Sequence, residues 1–230
     1  LSLGGLYWSL IRSSESEEKY QAFSYKQEAK IDYLISLKEN ELFEEPTLGP
    51  GRAYISALTD TIGTSFTYQF SAQQEAEMQG EFGVIASLEA LTGPENNILW
   101  EKKFILYPPE SFSASGKEIL LQKDILLPFS RYYAYAESIT EKVGFSPEIL
   151  NLNVYYNVTL TADTPDGLIE ESAGPKILIP LKGRVFTVGG DLADQKDGEI
   201  SAVRRVAVPY FEEAKIGFAL LALLLVFLLF

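Results

Sequence analysis

The sequence predicts a mainly β fold: an antiparallel, immunoglobulin-like β-sandwich with one inserted helix, flanked by two truncated transmembrane helices. Three observations predict it. Apolar residues alternate with polar ones in stretch after stretch, the signature of half-buried strands. No repeating strand–helix unit is present, which argues for an antiparallel sheet. Uncharged apolar runs close both ends of the chain, LSLGGLYWSLI at 1–11 and IGFALLALLLVFLLF at 216–230. "Immunoglobulin-like" describes architecture only, since the Cys–Trp–Cys hallmark is missing.

The elements follow in order. Residues 20–37 read as one long strand, with Phe23, Tyr25, Ile31, Tyr33 and Ile35 at alternate positions. Pro46, Gly49, Pro50 and Gly51 make 38–51 a turn-rich connection. Phe66, Tyr68 and Phe70 share one face of a strand over 64–73. Phe82, Val84, Ala86, Leu88 and Ala90 keep strict period two over 80–91. A strand over 98–107 is expected to end at Pro108-Pro109, and another spans 117–127. Tyr132, Tyr135, Ala136, Ile139 and Val143 have helical spacing, with Pro128 at the start and Gly144 as the stop. Val154, Tyr156, Val158 and Leu160 mark a strand over 149–164, closed by the turn Pro165-Asp166-Gly167. The last strand covers 176–188, where Pro180 points to an edge or a bulge.

Each apolar end run is shorter than the roughly 20 residues a full span needs. Each has its polar end toward the middle of the chain. Tyr7 and Trp8, then Tyr210 and Phe211, stand where a membrane–water interface places aromatics. The expected organisation is therefore the end of an N-terminal transmembrane helix (1–12), a linker (13–19), an extracytoplasmic β-sandwich (20–190), an acidic linker and juxtamembrane segment (191–209), and the start of a C-terminal transmembrane helix (210–230). A signal-peptide remnant or a buried core helix is the competing reading of these ends.

Composition bounds the chemistry. The net charge of −13 argues against nucleic acid and against broad adhesion to anionic lipid. With no cysteine, disulfides and thiolate-held metals are excluded. With no histidine, the commonest general base and transition-metal ligand are gone. Lys102, Lys103 and Lys117 could in principle activate a serine, but no Ser-x-x-Lys stands next to a fitting strand–helix junction. Asp191, Asp194, Asp197 and Glu199 are a weak candidate for calcium, but their spacing is not that of an EF-hand loop, and a solvated acidic linker explains them. No catalytic residue and no cofactor is expected.

Tyr132, Tyr133 and Tyr135 cluster on the predicted helix. Tyrosine suits interfaces, so they are candidate interaction residues, although capping of the sandwich explains the same spacing. Asn157-Val158-Thr159 is an N-glycosylation acceptor pattern.

Several segments together resemble one family. They are the Leu42-Phe43 pair, Tyr54, ALTDTI, the Phe66-x-Tyr68-x-Phe70 strand, WEKKFILYP at 100–108 and NLNVYYNVTLTA at 151–162. Over residues 20–188 the chain resembles the membrane-anchored domain-of-unknown-function family 5305 of archaea and bacteria. The resemblance supplies no activity. Through gene neighbourhood it implies a place in cell-envelope or surface-filament biogenesis, by association only. The expected function is a non-enzymatic, membrane-anchored, extracytoplasmic structural or interaction subunit, contacting membrane lipid and another envelope or membrane protein. The alternative is a ligand-binding or sensory ectodomain, and a carboxylate or calcium-dependent enzyme comes third.

Overall fold

The computed structural model describes residues 15–93 and 97–207, together with Glu213, Ile216, Gly217, Ala219, Leu220, Leu223, Leu224 and Phe227. The elements whose bounds fall among the described residues follow in chain order: β1 Glu15–Leu37, β2 Thr47–Leu48, β3 Tyr54–Ile55, β4 Thr59–Thr92, β5 Asn97–Pro128, α1 Phe129–Val143, β6 Ile149–Thr164, β7 Gly167–Ala173, β8 Lys176–Pro180, β9 Val185–Phe186 and β10 Ala193–Ala207. The chain divides into two compact units, Phe23–Gly198 and a second built from Leu1–Ala22 with Glu199–Phe230.

The larger unit is organised by one strand. β4 is 34 residues long, where two separate strands over 64–73 and 80–91 were expected. On one side it pairs antiparallel with β1 through its first half, then with β6 through its second. On its other side it pairs with β5. The register with β5 breaks between Ser71 and Ala76. Such a break lets a twisted strand bend from one layer into another. The two halves of β4 accordingly face each other. Phe66 of the first stacks on Phe82 of the second at 5.0 Å and on Tyr156 of β6 at 5.2 Å. The core is thus two-layered, but its layers are parts of one continuously paired sheet.

β5 is also a single strand, of 32 residues, and runs through Pro108-Pro109. The expected stop fails for two reasons. Among the described residues β5 pairs with β4 alone, so its outer amides have no ladder to lose. The diproline also sits in a bulge, between the pairs Phe82↔Glu110 and Val84↔Tyr107. Gly83 lies opposite, where a Cβ would come into ordinary contact with Pro109, at 3.4 Å.

α1 matches its expected span. Gly144 closes it at φ 69°, with its N–H donating to the carbonyls of Thr140 and Glu141. That left-handed position strains any residue with a Cβ. Gly144→Ala is expected to cost about 1 kcal/mol, read as a shift of the urea midpoint at constant slope.

Further expectations need correction. The flanking transmembrane helices are absent from the described fold: among the described residues no helix is long and apolar enough to cross a membrane. The described residues of 216–230 are helical with exposed side chains, and residues 1–14 lie outside the described residues, as do Tyr7, Trp8, Tyr210 and Phe211. Next, the linkers are largely strand. Residues 15–19 open β1, and most of the 191–209 segment is β10, which pairs with β1. A sheet-edge strand exposes most of its side chains, so its sequence stays polar. Lastly, β7 occupies a stretch in which no strand was expected. The expected strand over 176–188 is broken after Pro180 into β8 and the short β9. In the smaller unit, Arg204 pairs with Glu18 at 2.9 Å and lies over the Tyr20 ring.

Candidate functional site

A cleft forms where α1 meets the end of the larger unit. Phe129, Tyr132 and Ala136 sit one turn apart on one face of α1 and are buried. Phe129 stacks on Phe186 at 4.9 Å, and Phe186 packs on Tyr54 across the small β3–β9 sheet. Tyr54 donates its hydroxyl to the Gly49 carbonyl at 2.7 Å, which ties the 38–58 connection to this floor. Phe104 of β5 meets Tyr132 and Tyr135 edge-on, at 5.5 and 5.7 Å.

The three tyrosines therefore have three different roles. Tyr132 is buried core, Tyr135 is partly exposed beside Phe104, and Tyr133 lies half-buried in the cleft. Two cavities share Tyr133 and Gly183. One holds about 620 Å³ and is lined by Lys38, Ile55, Ala57, Phe129, Tyr133 and Arg184. The other holds about 310 Å³, between Tyr133, Glu137, Glu141, Pro147, Leu150 and Lys182.

The charged side chains of the larger cavity are all basic, and the smaller cavity carries both signs, with Lys182 beside its two glutamates. Lys38 and Arg184 stand at the larger cavity, and Glu137 and Glu141 at the smaller. Lys38 donates to the Ala57 carbonyl at 3.2 Å, and Lys182 donates to the Pro147 carbonyl. Ser56 donates to the Gly183 carbonyl at 3.0 Å, fixing the loop that carries Arg184. Burial, and then the nearby Glu137 carboxylate, push the Tyr133 phenol up from its ordinary value. An aromatic with a polar tip, flanked by apolar walls and fixed charges, is binding chemistry.

The remaining candidates are dispersed. Asp191 pairs with Lys176 at 3.1 Å, and Asp194 accepts the Gly174 N–H at 3.1 Å. Asp197 and Glu199 lie along β10. Among the described residues no group of three or more carboxylates could hold a metal ion. Asn157 is exposed on β6.

One polar cluster escaped the sequence reading. Tyr25 donates to Glu171 at 2.5 Å, and Lys196 bonds the other Glu171 oxygen at 2.7 Å. The Glu171 side chain is only 5% exposed. Beside it, buried Gln27 donates to the Ser172 carbonyl at 2.9 Å and accepts from Tyr68 at 3.2 Å. Every member is satisfied, so the cluster reads as a clamp between β1, β7 and β10. Its signal was a glutamate at the inward position between Ile169 and Ala173.

The profile of one family of unknown function, DUF5305, matches residues 100–230, more than half of the chain. The chain belongs to DUF5305. The matched part of this DUF5305 protein holds WEKKFILYP, α1 and NLNVYYNVTLTA, while the 41–72 stretch lies outside it. No curated protein matches the chain. A solved protein from Archaeoglobus fulgidus is similar over 57% of this chain and 95% of its own, at 8% identity and a TM-score of 0.26. That likeness is too slight to bear on fold or function.

Proposed function

We propose that this DUF5305 chain is a non-enzymatic interaction domain of an extracytoplasmic cell-envelope assembly, which holds an acidic segment of another envelope protein in the cleft around Tyr133. The observation that carries this reading is the placement of Lys38 and Arg184 at the larger cavity of a chain whose net charge is −13. Local positive charge on an acidic protein selects a partner by sign. Tyr133 adds a rigid contact with a polar tip at the centre.

The test is a photo-crosslinking residue at position 133 in the native envelope. It is expected to yield one discrete adduct with an identified protein bearing an acidic segment. Lys38→Glu combined with Arg184→Glu is expected to reduce that adduct about tenfold, while stability moves by no more than about 0.5 kcal/mol because both side chains are exposed. Recovery of the free chain alone, or an adduct indifferent to both substitutions, sinks the reading. The second reading is a small-ligand receptor. It is favoured by the volume of about 620 Å³, inside the ordinary range of small-molecule sites.

A further inference from the structure

We infer that two copies of this chain join edge to edge through β5, antiparallel, about a two-fold axis at Lys102. The inference is independent of the cleft. It starts from an open edge: among the described residues β5 pairs with β4 only, so its outer amides and carbonyls are left without a strand partner. Such an edge is a template for another strand unless it is guarded. Its apolar side chains are also uncovered. Ile98 is 61% exposed, Leu99 43% and Ile105 71%.

The sequence along this edge says which strand fits. Residues 98–106 read Ile-Leu-Trp-Glu-Lys-Lys-Phe-Ile-Leu, which is chemically palindromic about Lys102. In an antiparallel pair centred there, Glu101 stands opposite Lys103 of the second copy, and Lys103 opposite its Glu101. Trp100 meets Phe104, Leu99 meets Ile105, and Ile98 meets Leu106. Apart from Lys102 at the axis, every cross-strand pair is then aromatic with aromatic, aliphatic with aliphatic, or acid with base, the combinations that stabilise a ladder. Lys102 faces its own copy at the axis, with Trp100 and Phe104 of the second strand diagonal to it. Those rings can accept the ammonium by cation–π contact.

The backbone permits this register and limits it. The pairing with β4 is regular from Trp100 to Ile105, with bulges at Leu99 and Leu106 on either side. Beyond them Pro108-Pro109 removes two donors. The other half of β5 is not self-complementary. Centring on Leu120 sets Lys117 against Lys123, and centring on Leu121 sets Glu118 against Asp124. A closed two-fold pair through 98–106 also satisfies that part of the edge on both copies, leaving no open end within it for further strands.

The chain has no cysteine, so any disulfide is one that is introduced. Opposite Cα atoms in an antiparallel pair are about 4.5–5.5 Å apart, within disulfide reach. Lys102→Cys in the full chain is expected to give a disulfide-linked dimer on mild oxidation, about tenfold faster than Lys123→Cys on the other half of the strand. By sedimentation, Glu101→Lys and Lys103→Glu are each expected to weaken the dimer about tenfold. The double swap Glu101→Lys with Lys103→Glu restores it, because it rebuilds both cross-strand pairs. Circular dichroism confirms that each variant is folded before it is scored. A chain that stays monomeric at its highest soluble concentration overturns the inference. So does cross-linking at position 102 no faster than at 123, or a double swap as weak as the single ones. Dimers that form with neither site responding place the contact on another face and overturn it equally.

Discussion

Gly80→Val leaves the protein unable to reach its native fold, and Gly80→Ala lowers its stability by about 2–3 kcal/mol. Gly80 lies in the second half of β4, paired with Phe112 on one side and Leu160 on the other. A Cβ there would sit 2.2 Å from the Thr159 carbonyl oxygen and 2.4 Å from the Phe112 ring. The ring can swing aside. The carbonyl cannot, because it belongs to β6, and moving it opens the β4–β6 ladder at the centre of the sheet. Gly63, in the first half of the same strand, is the control. Its Cβ would meet the Leu126 side chain at 3.6 Å and the Leu34 carbonyl oxygen at 3.9 Å, both ordinary contacts, so Gly63→Ala should stay within about 1 kcal/mol. Urea unfolding of the two alanine variants decides the matter. A Gly80→Ala protein as stable as Gly63→Ala would show that β6 yields at Thr159, and the argument would fail.

The contrast between these two glycines also marks what the sequence discloses. Alternation placed the inward residues of β6 correctly, and helical spacing placed the span of α1 and the burial of Tyr132 and Ala136, while Tyr135 and Val143 of the expected face are exposed. Each element has one buried side and a clear terminator. Gly144 stops the helix, and Pro165-Asp166-Gly167 ends the strand. Alternation did not reveal that β4 and β5 are unbroken. The polar residues between Ser71 and Ala76 lie at the bend from one layer to the other, and in a sequence they look like a loop. β7 was hidden for another reason: its inward positions are Ile169, Glu171 and Ala173, and the middle one is charged. Only the tertiary partners Tyr25 and Lys196 make that glutamate tolerable inside. The cleft was half legible. The tyrosine cluster pointed to α1, but Lys38 and Arg184 are 146 positions apart in the chain, and the fold alone brings them to one cavity. The apolar ends suggested membrane spans through composition, and no described helix meets that expectation.

Raising the pH is expected to unfold this protein cooperatively between about pH 10 and pH 12, with tyrosines as the cause. Burial pushes the phenols of Tyr25 and Tyr156 up to about 12. At Tyr25 the hydrogen bond and charge of Glu171 add to burial, while at Tyr156 the Thr64 hydroxyl opposes it. Burial moves Tyr54 and Tyr68 in the same direction, and further. An unfolded tyrosine loses its proton near pH 10. Between 10 and 12 the folded chain therefore holds protons that the unfolded chain has released, and each such proton pulls the equilibrium toward unfolding as pH rises. The stability these groups contribute is complete below pH 10 and is lost as pH passes through the folded values. The urea midpoint should thus be insensitive to these phenols from pH 7 to 9 and fall steeply above 10. Tyr156→Phe isolates one of them. Its hydroxyl partner Thr64 also donates to the Ile125 carbonyl at 3.0 Å, so the substitution strands no buried donor. It should flatten the alkaline slope by about one proton's worth while leaving the neutral-pH fold in place. An unchanged slope in Tyr156→Phe would show that this buried phenol is not among the groups that drive alkaline unfolding.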